Sequence, residues 1–267
     1  MEKKFKLGVV GAGFMSTAII NGAISSKFLM PSDITVCDKL PEACQRISKL
    51  GVSIAETIDV LNNAGFVLFA IKPQNFIELK DIAKNSSCEK FISIMAGVKK
   101  DKIKSVFPNV KVARCMPNTP CSVGSGAVGI DLSDYTDKLD VEFIKGLFSS
   151  FATVGEVDES KLNAVTGISG SSPAYFYLFL KGIIDAGVKN GLDYETARKF
   201  AANTMIGAGK MVIKNSDKSL EDLITAVCSK GGTTIEAVDV YNKNNLTQIS
   251  IDAVDACIKR AFELENL

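Results

Sequence analysis

Histidine is absent from this 267-residue chain. No imidazole is therefore available as a general base, as a metal ligand or as the middle member of a Ser-His-Asp triad. An excess of either charge is also lacking. The chain sets 31 Lys and Arg against 30 Asp and Glu, a net of +1, so no global field draws it to nucleic acid or to an anionic membrane surface. Its seven cysteines, at 37, 44, 88, 115, 121, 228 and 257, include no C-x-x-C pair and are odd in number. That speaks against a disulfide framework and a zinc cluster, and no metal site is expected. The thiols read as small buried hydrophobes in a reducing cytoplasm. No uninterrupted apolar run reaches the ~18 residues of a membrane span; the longest candidate, Ala174 to Leu180, ends before Lys181. The start, Met1 to Lys6, has the charge of a signal peptide, but Gly8, Gly11 and Gly13 break the apolar helix that would have to follow, leaving a strand that enters a turn.

What is present is an ordinary globular composition, 46% hydrophobic and 23% charged, long enough for about two domains. From Phe5 to about Val157, β-branched runs at Leu7–Val10, Ile34–Cys37, Phe66–Ile71, Phe91–Met95 and Val110–Cys115 alternate with amphipathic stretches. That rhythm predicts a parallel sheet with helices on both faces, a doubly wound Rossmann-type domain over residues 1–158. Beyond Asp158 the strand signal stops. Helical periodicity runs over Leu162–Lys189, Tyr194–Lys214, Leu220–Cys228, Thr233–Asn242 and Ile249–Leu264, so residues 159–267 should form an all-helical domain. Asp193 and Ser219 are expected as N-caps, with Asp222 completing a capping box and Gly191 ending the preceding helix. Gly182, Gly187, Gly207 and Gly209 lie inside helices at about 1 kcal/mol each relative to Ala, which close helix packing, within or between subunits, would offset.

Four groups of residues could carry chemistry. Leu7 to Ser16 places G-x-G-x-x-S after a strand and before the helix Thr17–Ala23, with Gly11, Gly13, Phe14 and Met15 at the turn. In a dinucleotide fold the first glycine permits the tight turn, the second lets the backbone approach the pyrophosphate, and the helix N-terminus holds the anion. The second strand ends in Asp38-Lys39. Such a carboxylate either accepts hydrogen bonds from the adenosine ribose and repels a 2′-phosphate, with Lys39 offsetting it, or caps the helix near Pro41; NADPH and NADH both stay open. Two further strands end in the proline turns Ala70-Ile71-Lys72-Pro73-Gln74 and Met116-Pro117-Asn118-Thr119-Pro120. Both fall on the edge where open α/β sheets bind ligands. They read as the sides of a nicotinamide pocket formed by Ala70, Lys72, Pro73 and Asn118, or as rigid turns. In the helical half, Gly167 to Tyr175 interrupts one helix and Ser229-Lys230-Gly231-Gly232-Thr233-Thr234 opens another. The second run either offers backbone N–H groups to a small carboxylate or is a simple cap at Thr233 or Thr234.

Leu68 to Gln74, Arg114 to Pro120, Gly167 to Tyr175 and Ser229 to Thr234 together resemble pyrroline-5-carboxylate reductase, essentially end to end. The resemblance implies reduction of the cyclic imine of L-1-pyrroline-5-carboxylate to L-proline by hydride from NADPH or NADH. It also implies a homodimer through the helical half, which in many relatives builds a decamer. It puts the hydrogen bond to the substrate ring nitrogen on Thr234, and the carboxylate on Gly231, Gly232 and Thr233 with Ser229 nearby. Three positions depart from the family pattern. Lys230 stands where proline is common, Asn163 where aspartate is frequent, and Asp38-Lys39 where polar and basic residues often meet a 2′-phosphate. A reductase of β-hydroxyacids or ketoacids would need an acid-base lysine or histidine in the helical half, where Lys181, Lys189 and Lys210 lie on ordinary helix faces. A non-catalytic dinucleotide-binding oligomer is the alternative from another class.

Overall fold

The computed structural model describes residues 3–265. The first part of the chain runs β1 (Phe5–Val10), α1 (Phe14–Ser25), β2 (Ile34–Cys37), α2 (Pro41–Ser48), β3 (Ser53–Ile54), α3 (Thr57–Asn63), β4 (Ala64–Phe69), the single-turn helices α4 (Pro73–Phe76) and α5 (Lys80–Ala83), then β5 (Lys90–Ser93) and α6 (Lys100–Val106). It continues through β6 (Lys111–Met116), β7 (Gly126–Asp131), α7 (Lys138–Ser149) and β8 (Ala152–Glu156). Helices follow: α8 (Leu162–Val165), α9 (Ser172–Lys189), α10 (Tyr194–Lys214), α11 (Leu220–Val227), α12 (Thr233–Lys243) and α13 (Leu246–Glu265).

Among the described residues the strands make one sheet in the order β3-β2-β1-β4-β5-β6-β7-β8. The inner strands β1, β2, β4 and β5 are buried on both sides, which is why they read in sequence as apolar runs. The side chains still alternate. Leu7, Val9 and Leu68 face a core closed by Ile19 and Ile20 of α1, Ile47 of α2 and Leu147 and Phe148 of α7. Val67 and Phe69 face the opposite core with Val60 and Leu61 of α3 and Ile103 of α6, as the two-residue period requires. On that second face Phe69 meets Phe91 edge-on at 4.6 Å, and Phe91 meets Phe107 at 4.8 Å. Fully burying rings of this size contributes roughly 1.5–3 kcal/mol each.

Strand order reverses between β1 and β4, the place where open α/β sheets leave a crevice at the carboxyl ends. In register, Val10 lies beside Cys37 of β2 and Phe69 of β4. The loops that begin at Gly11, Asp38 and Ala70 therefore leave the sheet side by side.

Two corrections concern the sheet. It is not wholly parallel, because β6 pairs with β7 antiparallel and β7 with β8 parallel. The strands β3, β7 and β8 also lie outside the runs picked from the sequence. In β7 the strand signal is diluted by glycines that close packing demands. A Cβ on Gly126 would stand 2.2 Å from Cys121 Sγ, and one on Gly129 would stand 2.8 Å from Val165.

The expected helix Leu162–Lys189 is three pieces. Between α8 and α9, residues Thr166–Gly170 form a π turn, closed by Ser171 N–H donating to Thr166 O at 2.9 Å. The expected punctuation elsewhere is present. Asp193 accepts from Thr196 N–H at 2.9 Å, and Ser219 and Asp222 form the reciprocal capping box. After α9, Gly191 takes φ +95° while Leu192 N–H donates to Gly187 O and Gly191 N–H to Val188 O, the paired bonds of a Schellman ending. Two compact units result. One holds the chain up to Pro173 together with the segment from Cys257 onward, and the other is Ala174–Ala256. The strand pattern ends near Asp158, whereas the compact unit continues to Pro173 because Leu162 and Asn163 are buried in it. No helix among the described residues is long and apolar enough to cross a membrane.

Candidate functional site

In the sheet-bearing unit the site begins with a turn that only glycine can make. Gly11 has φ +107°, and a Cβ there would lie 2.7 Å from the Ala70 carbonyl oxygen. Its N–H donates to Cys37 O at 2.8 Å, and Ala70 N–H donates to Val10 O at 2.9 Å, stitching the three loops together. Gly13 differs: its φ is ordinary and a Cβ there would meet nothing within 4 Å. It is the N-cap of α1, and no side chain caps that end. Phe14 and Met15, expected in the turn, are the first residues of the helix itself. The hydroxyls of Ser16 and Thr17 donate back to Gly13 O at 3.0 and 2.8 Å and so do not cover the first-turn N–H groups. Open space before bare N–H donors at a helix N-terminus fits the pyrophosphate of a dinucleotide.

Asp38, half-buried just after β2, is hydrogen-bonded within the protein. Its Oδ2 accepts from Ala12 N–H at 2.6 Å and its Oδ1 from Leu40 N–H at 2.9 Å, while the N-cap of α2 is Leu40. The carboxylate thus braces the glycine loop rather than capping the helix. Arg46 of α2 holds the other end of the same residue, donating from Nη2 to Ala12 O at 2.9 Å. Nothing local marks Arg46 as a loop partner, because it lies 34 residues from Ala12 in sequence and has the look of a helix-surface residue. Lys39 pairs with Glu78 at 3.6 Å on the surface. Lys72 and Pro73 stand exposed at the start of α4, on the same sheet edge.

Asn118 is placed differently from the pocket-wall role. It is buried, and its amide is spent inside the protein. Nδ2 donates to Ser169 O and Oγ at 3.3 and 3.2 Å, and Oδ1 accepts from Ala127 N–H at 3.0 Å. The side chain ties the π turn to β7. Sequence reasoning missed this pairing because the partners lie 51 residues apart. π turns of this kind are frequent where a helix is shaped for function. Burial pushes the Cys37 thiol, and that of Cys88 before β5, up to about 11 and Cys115 higher still, so these thiols are held protonated.

In the helical unit, Ser229 to Gly232 form a tight turn with Gly231 at φ +71° and Gly232 N–H donating to Ser229 O at 2.9 Å. That N–H is therefore engaged in the turn. Gly232 is the N-cap of α12, no side chain caps the helix, and Thr233 and Thr234 are its exposed first two residues. The expectation of a threonine cap is thus replaced by a bare start, with helical N–H groups from Thr233 onward available to an anion. Lys230 is exposed in the turn, and Asn163 is buried in α8.

A family model described as pyrroline-5-carboxylate reductase dimerisation matches residues 159–264, and one described as NADP oxidoreductase, coenzyme F420-dependent, matches residues 6–97. Pyrroline-5-carboxylate reductase of Staphylococcus aureus (strain COL) is 36% identical over 270 residues, covering 98% of each chain. The enzyme of the same name from Haemophilus influenzae is 36% identical over 267 residues, again covering 98% of each. Among solved structures, a pyrroline-5-carboxylate reductase from Coxiella burnetii superposes with TM-score 0.87 at 30% identity over 98% of each chain. The Plasmodium falciparum pyrroline carboxylate reductase with NADP bound gives 0.86 at 27% identity over 99% of this chain and 100% of that one.

Proposed function

This chain belongs to the pyrroline-5-carboxylate reductase family, and on that footing we propose which of its residues carry the reaction. The reaction is reduction of L-1-pyrroline-5-carboxylate to L-proline, the last step of proline biosynthesis, with NAD(P)H as reductant. NAD(P)H, when bound, supplies the hydride. Gly11, Gly13, Phe14 and Met15 provide the backbone cradle for its pyrophosphate, Asp38 lies at the adenosine ribose, and Ala70, Lys72 and Pro73 border the nicotinamide end. Asn118 supports that border from within by fixing the Ser169 turn.

The observation that carries the substrate assignment is the uncapped start of α12 behind the Gly231 turn. A small carboxylate there meets oriented N–H groups of Thr233 and Thr234 and the positive end of the helix dipole, with Ser229, Gly231 and Gly232 shaping the turn that leaves them bare. The Thr234 hydroxyl is the hydrogen-bond partner of the ring nitrogen. A hydroxyl serves either protonation state, donating to a neutral imine nitrogen or accepting from the iminium N–H. Positioning, rather than proton transfer by an enzyme base, is then the main contribution of the protein, consistent with a chain that has no histidine.

The purified protein should consume reduced cofactor only when pyrroline-5-carboxylate is present, read as loss of nicotinamide absorbance. Thr234→Ala should lower kcat/KM by about five- to a hundred-and-fifty-fold, the equivalent of a lost hydrogen bond of ~1–3 kcal/mol. Unchanged kinetics would remove Thr234 from the site.

The protein assembles through its helical half, the part matched by the dimerisation model. The fuller assembly we propose is a decamer of such dimers. The compartment we propose is the cytoplasm, supported by seven cysteines that are all free thiols. The functional division we propose stays at residues 1–158 for the cofactor and 159–267 for substrate and assembly.

A further inference from the structure

We infer that Asp38 makes this enzyme select NADH over NADPH. The inference rests on the reductase reading above and goes beyond it, since that reading accommodates either cofactor.

Four observations carry it. Asp38 ends β2, next to the glycine turn that leaves β1, the position from which a carboxylate reaches an adenosine ribose. Its side chain is fixed, because Ala12 N–H at 2.6 Å and Leu40 N–H at 2.9 Å each take one oxygen. A carboxylate has about four acceptor positions. Two are therefore still free for the 2′- and 3′-hydroxyls of NADH, and they are pre-aimed at no conformational cost to the ligand. A 2′-phosphate would instead meet a negative charge that cannot swing away without releasing Ala12, and with it the pyrophosphate loop.

Two positive side chains, Lys39 and Arg46, stand near this position. Lys39 pairs with Glu78, whose carboxylate adds a second negative group near the strand end. Arg46 donates from Nη2 to the Ala12 carbonyl at 2.9 Å.

The test is the dissociation constant of each reduced cofactor without substrate, read from nicotinamide fluorescence; the chain has no tryptophan, so no indole emission interferes. NADH should bind at least about tenfold tighter than NADPH at low salt, the scale expected of one close like-charge pair. Raising the salt should narrow that ratio as the repulsion is screened. Asp38→Asn should bring the ratio to within about threefold, chiefly by improving NADPH. Any loosening of the glycine loop in this variant weakens both cofactors alike and leaves the ratio as the readout. Three results would overturn the inference: NADPH binding as tightly as NADH, a ratio that widens with salt, as attraction by Lys39 or Arg46 would produce, or a ratio unmoved in Asp38→Asn. If Asp38→Asn does not fold, the wild-type ratio and its salt dependence decide. Failure of both cofactors to bind would instead sink the reductase reading itself.

Discussion

Gly11 and Gly13 sit two positions apart and are glycine for different reasons. At Gly11 the backbone needs φ +107° and the Ala70 carbonyl leaves no room for a methyl group, so Gly11→Ala should lower the melting temperature whether or not cofactor is present. At Gly13 the folded protein has no such demand, since φ is −79° and the space is empty. Gly13→Ala is therefore expected to keep the melting temperature within experimental error while weakening NAD(P)H binding about tenfold or more, because the methyl group would occupy the approach to the pyrophosphate. Thermal unfolding with and without cofactor separates the two variants. Undiminished affinity in Gly13→Ala would move the pyrophosphate elsewhere. Both glycines were legible as a motif, but the distinction between them was not, because it depends on what stands opposite each Cα.

At the scale of elements, the sheet edge is tied together by charges that no sequence pattern announces. Lys100, the first residue of α6, is buried, with Asp131 of β7 at 2.6 Å and Asp134 at 3.6 Å. Asp131 also accepts from Glu159 N–H at 2.8 Å, and Arg114 of β6 reaches Glu159 at 3.0 Å and Glu265 of α13 at 3.5 Å. Burial pulls the Lys100 ammonium down, but the hydrogen bond it donates to Asp131 and the surrounding carboxylates outweigh it and hold Lys100 above its ordinary range. Lys100→Ala would strand a buried carboxylate, and equilibrium urea unfolding should show a loss of roughly 3–5 kcal/mol. Replacing both partners, as Lys100→Met with Asp131→Leu, should recover a large part of it. A loss under ~1 kcal/mol in the single variant would show that solvent already screens the pair. The inner strands β1, β2, β4, β5 and β6 were readable because burial on both faces forces apolar runs. β7 was not, because Gly126 and Gly129 dilute its apolar run, and β8 was not, because it is an edge strand with no buried residue to force one.

At the scale of the whole molecule, the second compact unit leaves large apolar side chains in the open when the chain is alone. Leu178 is 74% exposed and Ile213 79%, with Phe176 and Tyr177 also uncovered, far more than an isolated soluble unit tolerates. Assembly through this half accounts for them, and Gly182, Gly207 and Gly209, where an added Cβ would meet nothing within 4 Å in the single chain, allow close helix approach there. A variant carrying Leu178→Glu and Ile213→Glu should sediment as a smaller species and lose reductase activity together. Wild-type sedimentation would place the seam on other residues. The absence of histidine, the balance of charge, the glycine turn and the alternation of strands and helices are local facts, and by themselves they made the fold class and a dinucleotide turn legible; the imine reduction by positioning is what the family resemblance implies. Partners far apart in sequence were decided only by tertiary structure: Asp38 and Arg46 on Ala12, Asn118 on Ser169, Lys100 on Asp131. The reason is physical. A backbone period or a turn residue acts through its neighbours in the chain, whereas the role of a polar side chain is set by which donor or acceptor the fold brings within 3 Å or so of it, and that distance is a property of the packed molecule.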